Sequence, residues 1–124
     1  VEIDKSKLLA EILVEKRELT IQATGKSMFP ALVKGDRILL RSCGFSDAKI
    51  GDIILARFGR QYCLHRVVRE SPLTTKGDSL TQVDPPIEEV FGKVWQIEKT
   101  LISRIRRWKI FFAKHIERAS TNRR

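Results

Sequence analysis

Glycine-aspartate dipeptides punctuate this chain at Gly35-Asp36, Gly51-Asp52 and Gly77-Asp78. Each lies beside a short apolar or β-branched run, and no other feature constrains the fold as much. Glycine supplies backbone conformations that other residues resist, and aspartate closes turns on its own backbone. The runs between these turns read as strands. Leu19 to Thr24 alternates apolar and polar residues, and Arg37 to Ser42, Ile53 to Phe58, Tyr62 to Glu70 and Val90 to Ile97 are extended in character. Gly59-Arg60 reads as a hairpin turn between two of them, Thr74 to Asp78 closes a further short extended piece, and Asp84-Pro85-Pro86 is a rigid loop. Many short strands separated by such turns imply a mainly β domain of coiled sheets. The three dipeptides have different flanks and irregular spacing, so they are not an internal repeat.

Helices are expected at the two ends. Over residues 4–18, Leu8, Leu9, Ile12 and Leu13 form an apolar stripe, with Asp4 or Ser6 as cap. Over residues 99–118, Leu101, Ile105, Trp108, Phe112 and Ile116 recur on one face, while Arg106, Arg107, Lys114 and Arg118 lie away from it. Residues 119–124 are expected to fray. With 124 residues the chain suits a single core. The division is a domain over 1–98 followed by a basic amphipathic helix and tail over 99–124.

Charge sharpens that division. Residues 99–124 hold nine Lys or Arg and one acid, Glu117, so they contribute +8 of the net +9 and leave +1 for residues 1–98. A uniformly basic surface would point to nucleic acid; a basic tail points to a local attachment device, and nucleic acid is not the expected partner. Two expectations follow for the helix. Its apolar face docks on the domain, or it lies on an anionic membrane with Trp108, Phe111 and Phe112 at the interface. No apolar run approaches the roughly 18–20 residues that span a bilayer, so the expected location is cytoplasmic or peripheral to a membrane. Cys43 and Cys63 are too few for a disulfide scaffold and lack metal-site spacing, and they read as free thiols.

Three strings carry chemistry. The first is Gly25-Lys26-Ser27-Met28-Phe29-Pro30-Ala31-Leu32, followed by Gly35-Asp36. The second is Gly51-Asp52-Ile53-Ile54, then Leu64-His65-Arg66-Val67-Val68. The third is Thr75-Lys76-Gly77-Asp78, followed by Asp84. Taken alone, Ser27 reads as a turn residue and His65 as a core histidine. In this order, over about residues 19–97, the strings resemble the superfamily of type I signal peptidases and LexA-type self-cleaving repressors. There a Ser-Met pair after a glycine turn places the nucleophile, Gly-Asp turns introduce the next strands, and the base precedes an Arg-Val pair. Bacterial-type signal peptidases and LexA-type repressors use lysine as base. His65 instead resembles the endoplasmic-reticulum and archaeal branch, whose Lys-Gly-Asp segment and later aspartate match Asp78 and Asp84.

The resemblance implies a serine endopeptidase that cleaves a leader or signal segment from a polypeptide, with Ser27 as nucleophile, His65 as general base and no metal or organic cofactor. Physical chemistry supports the same roles. A serine hydroxyl needs an adjacent base, and histidine can take its proton and return it to the leaving amine. A carboxylate on the far ring nitrogen would fix the tautomer. That role falls to Asp84 first and Asp78 second, with Asp78 alternatively holding the Lys-Gly-Asp turn. Asp36 and Asp52 are read as turn-forming residues. Met28 and Phe29 are expected to meet substrate, and the Ser27 N–H to serve the oxyanion hole. The chain departs from the signal-peptidase pattern in one respect. Gly25-Lys26-Ser27 lacks the earlier serine hydroxyl of Ser-Gly-Ser, for which Thr24 or the Lys26 backbone would have to compensate. Two rival readings remain. A LexA-like self-cleaving regulator expects an attached DNA-binding domain and a lysine where this chain has His65. A non-catalytic module of the same fold would bind peptide or membrane.

Overall fold

Ile53-Ile54-Leu55-Ala56, four consecutive apolar residues, are all buried, and they lie near the middle of one antiparallel sheet. Successive side chains of a strand point to opposite faces, so a strand buried throughout needs cover on both. Ile53 and Leu55 face one cluster, with Ala10, Leu13, Met28, Leu32, Ile38, Leu40 and Phe91. Ile54 and Ala56 face another, with Ala48, Val67, Leu73 and Val90. The computed structural model describes residues 5–106, 108 and 109. Its elements are a helix α1 (Lys5–Lys16) and strands β1 (Glu18–Gln22), β2 (Arg37–Ser42), β3 (Ile53–Phe58), β4 (Gln61–Glu70), β5 (Leu73–Lys76) and β6 (Glu89–Glu98). A single 3-10 turn (Phe45–Asp47) follows β2. Residues 101–106, 108 and 109 are helical.

The strand order is β1-β2-β6-β3-β4-β5, and each neighbouring pair is antiparallel. The last strand therefore runs between β2 and β3. Gly92 permits that insertion: a Cβ there would stand 2.5 Å from Arg41 O and 2.6 Å from a Leu13 methyl. Register shifts in β6, between Gly92 and Val90 against β3 and between Val94 and Gln96 against β2, bend the ladder on either side of this insertion.

Helix α1 packs on β1, β2 and β6. The stripe expected on it faces inward at Leu9, Ile12 and Leu13 but not at Leu8. Ala10 and Leu13 are buried, whereas Leu8 is exposed. A small residue at position 10 lets the helix approach the sheet closely, so the contact centres there rather than on the larger leucine. The helix ends at Arg17, which takes a φ of 71° and donates its N–H to Leu13 O before β1 begins.

The apolar face expected on the C-terminal helix is not docked on the domain among the described residues. Leu101, Ile102, Ile105 and Trp108 are exposed, and Ser103 is the buried position. The remainder of the expected helix, including Phe111, Phe112 and Ile116, and the frayed end over 119–124 lie outside the described residues.

Candidate active site

Ser27 sits in a loop whose base is closed by backbone bonds. Ala23 N–H donates to Asp36 O, and Gly35 N–H donates to Ala23 O. Gly25 adopts a φ of +80°, which lets the chain leave β1 and turn sharply just before Ser27. The turn is then held by Phe29 N–H to Lys26 O and Leu32 N–H to Met28 O.

His65 comes from β4, opposite Ile54 in the pairing with β3, and is 8% exposed. Its Nε2 lies 3.0 Å from Ser27 Oγ, and its Nδ1 lies 2.6 Å from Asp84 Oδ2. A carboxylate only accepts hydrogen bonds, so the short contact assigns the proton to Nδ1 and leaves the Nε2 lone pair facing the serine hydroxyl. Asp84 is fixed in turn by Thr75. The Thr75 hydroxyl donates to Asp84 Oδ2 at 2.7 Å, and Asp84 N–H donates to Thr75 O at 2.8 Å. Thr75 is fully buried on β5, so it holds the carboxylate from the protein side. No sequence signal marks Thr75 for this role, because a threonine in a strand is common.

Asp78 is tied to Arg66 on the strand that carries His65 rather than to the histidine itself. Its carboxylate accepts a two-pronged bond from Arg66, Nε to Oδ1 and Nη2 to Oδ2, each at 2.9 Å, and it does not meet His65. The pair raises the Arg66 guanidinium further above its ordinary range. Arg66 also donates to Gly51 O, and Ser79 N–H and Oγ donate to Ser27 O and Lys26 O. The Gly77–Leu80 turn thus ties the nucleophile loop to the strand that carries the histidine. Gly77 sits so close that a Cβ would stand 2.7 Å from Ser27 O. Lys76 Nζ caps the same turn by donating to Gly77 O and Leu80 O.

Ser27, His65 and Asp84 open on a cleft of about 630 Å³. Met28 lines it, is buried, and accepts a hydrogen bond from Asp78 N–H through its sulfur. Phe29, expected beside it, is half-buried and is not among the cleft-lining residues. Its wall includes Ile21, Thr24, Leu55, Tyr62 and Leu64, with Leu9 of α1. Tyr62 is stacked on Phe91 with ring centres 5.5 Å apart. No local motif marks these wall residues, because β-pairing assembles them from distant segments.

Cys63, two residues before His65 on the same face of β4, also lines the cleft. Its sulfur, a His65 ring nitrogen and an Asp84 oxygen lie within 4.8 Å of one another, a donor set of the kind that binds a soft divalent metal. Burial pushes the Cys63 thiol up to about 12, and the nearby Asp84 carboxylate adds to the rise. At neutral pH the group is a protonated thiol, while the His65 and Asp84 atoms are engaged with each other. Burial likewise raises the Cys43 thiol, so neither cysteine is an activated nucleophile.

Asp36 does more than close a turn. It is fully buried, accepts Val33 N–H at 2.9 Å, and receives Lys99 Nζ at 2.6 Å. Burial alone would push its carboxyl up; the hydrogen bonds from Lys99, Ser103 and Val33 outweigh that and hold it below the ordinary value. Asp52 remains a turn residue that accepts Lys49 N–H.

No family model, curated protein or solved structure matches this chain.

Proposed function

We propose that this protein is a serine endopeptidase of signal-peptidase-like type that cleaves a leader or signal segment from a polypeptide. The observation that carries the reading is the continuous line from Ser27 Oγ through the His65 ring to Asp84, with contacts of 3.0 and 2.6 Å at the edge of an open cleft. Both lengths fall within the reach of proton transfer. His65 Nε2 takes the Ser27 proton as the oxygen attacks the scissile carbonyl. Asp84 stabilises the imidazolium so formed, and Nε2 then returns the proton to the leaving amine. An acyl-enzyme on Ser27 remains, which a water activated by His65 hydrolyses. The Ser27 N–H donates to no partner among the described residues and is available to a developing oxyanion. The apolar cleft wall suits an extended segment with small or apolar side chains, bound largely by main-chain hydrogen bonds.

Incubation with a fluorophosphonate probe and with leader-bearing polypeptides tests the reading. Ser27 is expected to be labelled, and Ser27→Ala and His65→Ala are each expected to lose at least about 10⁴-fold in kcat with the fold intact. Full residual cleavage in Ser27→Ala would overturn the assignment.

A further inference from the structure

The helix that follows β6 is attached to the domain by its polar side. Lys99 Nζ bonds Asp36 Oδ2 at 2.6 Å and Ala31 O at 2.8 Å, Thr100 Oγ1 donates to Gly35 O, and Ser103 is 1% exposed. The opposite side faces solvent. Leu101 is 74% exposed, Ile102 63%, Ile105 48% and Trp108 67%. Leu101, Ile105 and Trp108 are spaced by four and three residues and share one face, with Ile102 beside them. Among the described residues this helix buries a serine and exposes four large apolar side chains, the reverse of what packing on the domain would give. Arg104, Arg106 and Lys109 are exposed around this face, and the chain from 99 onward contributes +8 of the total charge.

We propose that this face is a docking surface for an anionic lipid bilayer. Apolar side chains flanked by cations match a surface whose acyl boundary accepts the first and whose phosphate headgroups attract the second. Trp108 suits the headgroup level, where an apolar ring with one polar edge is favoured. Nucleic acid would use the cations but gain little from three bare aliphatic residues; a second copy of this chain would bring a second cationic surface against the first. The root of the helix bonds Ala31 and Asp36, the far end of the loop that carries Ser27. Docking would therefore hold the nucleophile loop near the lipid surface, where leader segments that are themselves membrane-seated would meet it. The docking rests on the helix alone; the substrate class rests on the peptidase reading.

The test is co-sedimentation of the full chain with phosphatidylcholine vesicles, with and without phosphatidylserine. The Ser27→Ala variant runs in parallel. Binding is expected with phosphatidylserine, is expected to weaken as salt rises, and is expected to fall at least about tenfold in Leu101→Ser, Ile105→Ser and Trp108→Ser. In a Trp95→Phe background the Trp108 emission is expected to shift to the blue on vesicle addition. Circular dichroism and probe labelling of Ser27 establish that the serine variants are folded. Absence of vesicle binding overturns the proposal. So does duplex-DNA binding that outcompetes vesicles and ignores the serine substitutions, or a dimer that the substitutions dissolve without any vesicle binding. Equal vesicle binding by Ser27→Ala separates the two readings. Loss of cleavage with binding retained in the parent chain speaks against the peptidase alone, and loss of binding with cleavage retained speaks against docking alone.

Discussion

At the scale of single residues, two aspartates six positions apart are distinguished by what each carboxylate meets. Asp84 receives the His65 ring and the Thr75 hydroxyl on one oxygen, whereas Asp78 receives the Arg66 guanidinium on both. The two are expected to fail differently on amidation. Asp84→Asn presents an amide that can donate as well as accept, so it permits the wrong His65 tautomer; kcat is expected to fall about 10⁴-fold with stability nearly unchanged. Asp78→Asn breaks a partly exposed two-pronged pair and is expected to cost about 1–2 kcal/mol of stability, with a much smaller loss in kcat. Urea denaturation and turnover on both variants check the split, and equal effects on turnover would refute it. The sequence ranked these aspartates in the order the contacts support, but on resemblance alone. It held no information about Thr75 or about the partner of Arg66, because both contacts depend on where the chain after β5 folds back, bringing Asp78 to Arg66 of β4 and Asp84 to Thr75 of β5.

At the scale of elements, the Gly77–Leu80 turn is the brace between nucleophile and base. Its backbone and Ser79 hold Ser27 O and Lys26 O, and Asp78 holds the strand of His65 through Arg66. Gly77 is required here for space rather than for an unusual φ, since a Cβ would meet Ser27 O at 2.7 Å and Leu80 at 2.9 Å. Gly77→Ala is expected to displace the nucleophile turn, costing about 1–3 kcal/mol of stability and slowing probe labelling of Ser27 more than it weakens substrate binding. Unchanged labelling would show that the turn is not a brace. The strands themselves were legible from their punctuation: β2 and β3 begin and end where the sequence placed them, and β1, β4 and β6 differ by one or two residues. Helix α1 was legible as a helix and in most of its inward stripe, Leu9, Ile12 and Leu13, but not in the exposure of Leu8 or the burial of Ala10. Periodicity marks a stripe, and only the shape of the sheet decides which part of it makes contact.

At the scale of the whole molecule, the Asp36–Lys99 pair joins the nucleophile loop to the C-terminal helix across 63 positions of sequence. The Asp36 carboxyl lies below its ordinary value of 3.8, so its contribution is fully present above that value and is lost as pH falls through the folded one. Stability is therefore expected to decline on acidification below about pH 4, and Asp36→Asn is expected to flatten that decline while costing about 3 kcal/mol at neutral pH, where Lys99 loses its partner. Urea midpoints from pH 7 to pH 2.5 measure both. An unchanged acid slope in the variant would show that other carboxylates carry it.

Local punctuation and side-chain chemistry sufficed to indicate a mainly β chain with a helix at its start and a basic segment at its end, whereas Ser27, His65 and Asp84 stood out as one candidate constellation through the resemblance of the ordered strings that hold them. These are properties of short segments, and turns, alternation and charge act over a few residues. The insertion of β6 between β2 and β3, the cleft wall, the support of Asp84 by Thr75, the braced turn and the burial of Asp36 were decided by tertiary structure. Each joins residues far apart in the chain through strand order and close approach, which depend on the packing of the whole sheet rather than on any neighbourhood of the sequence.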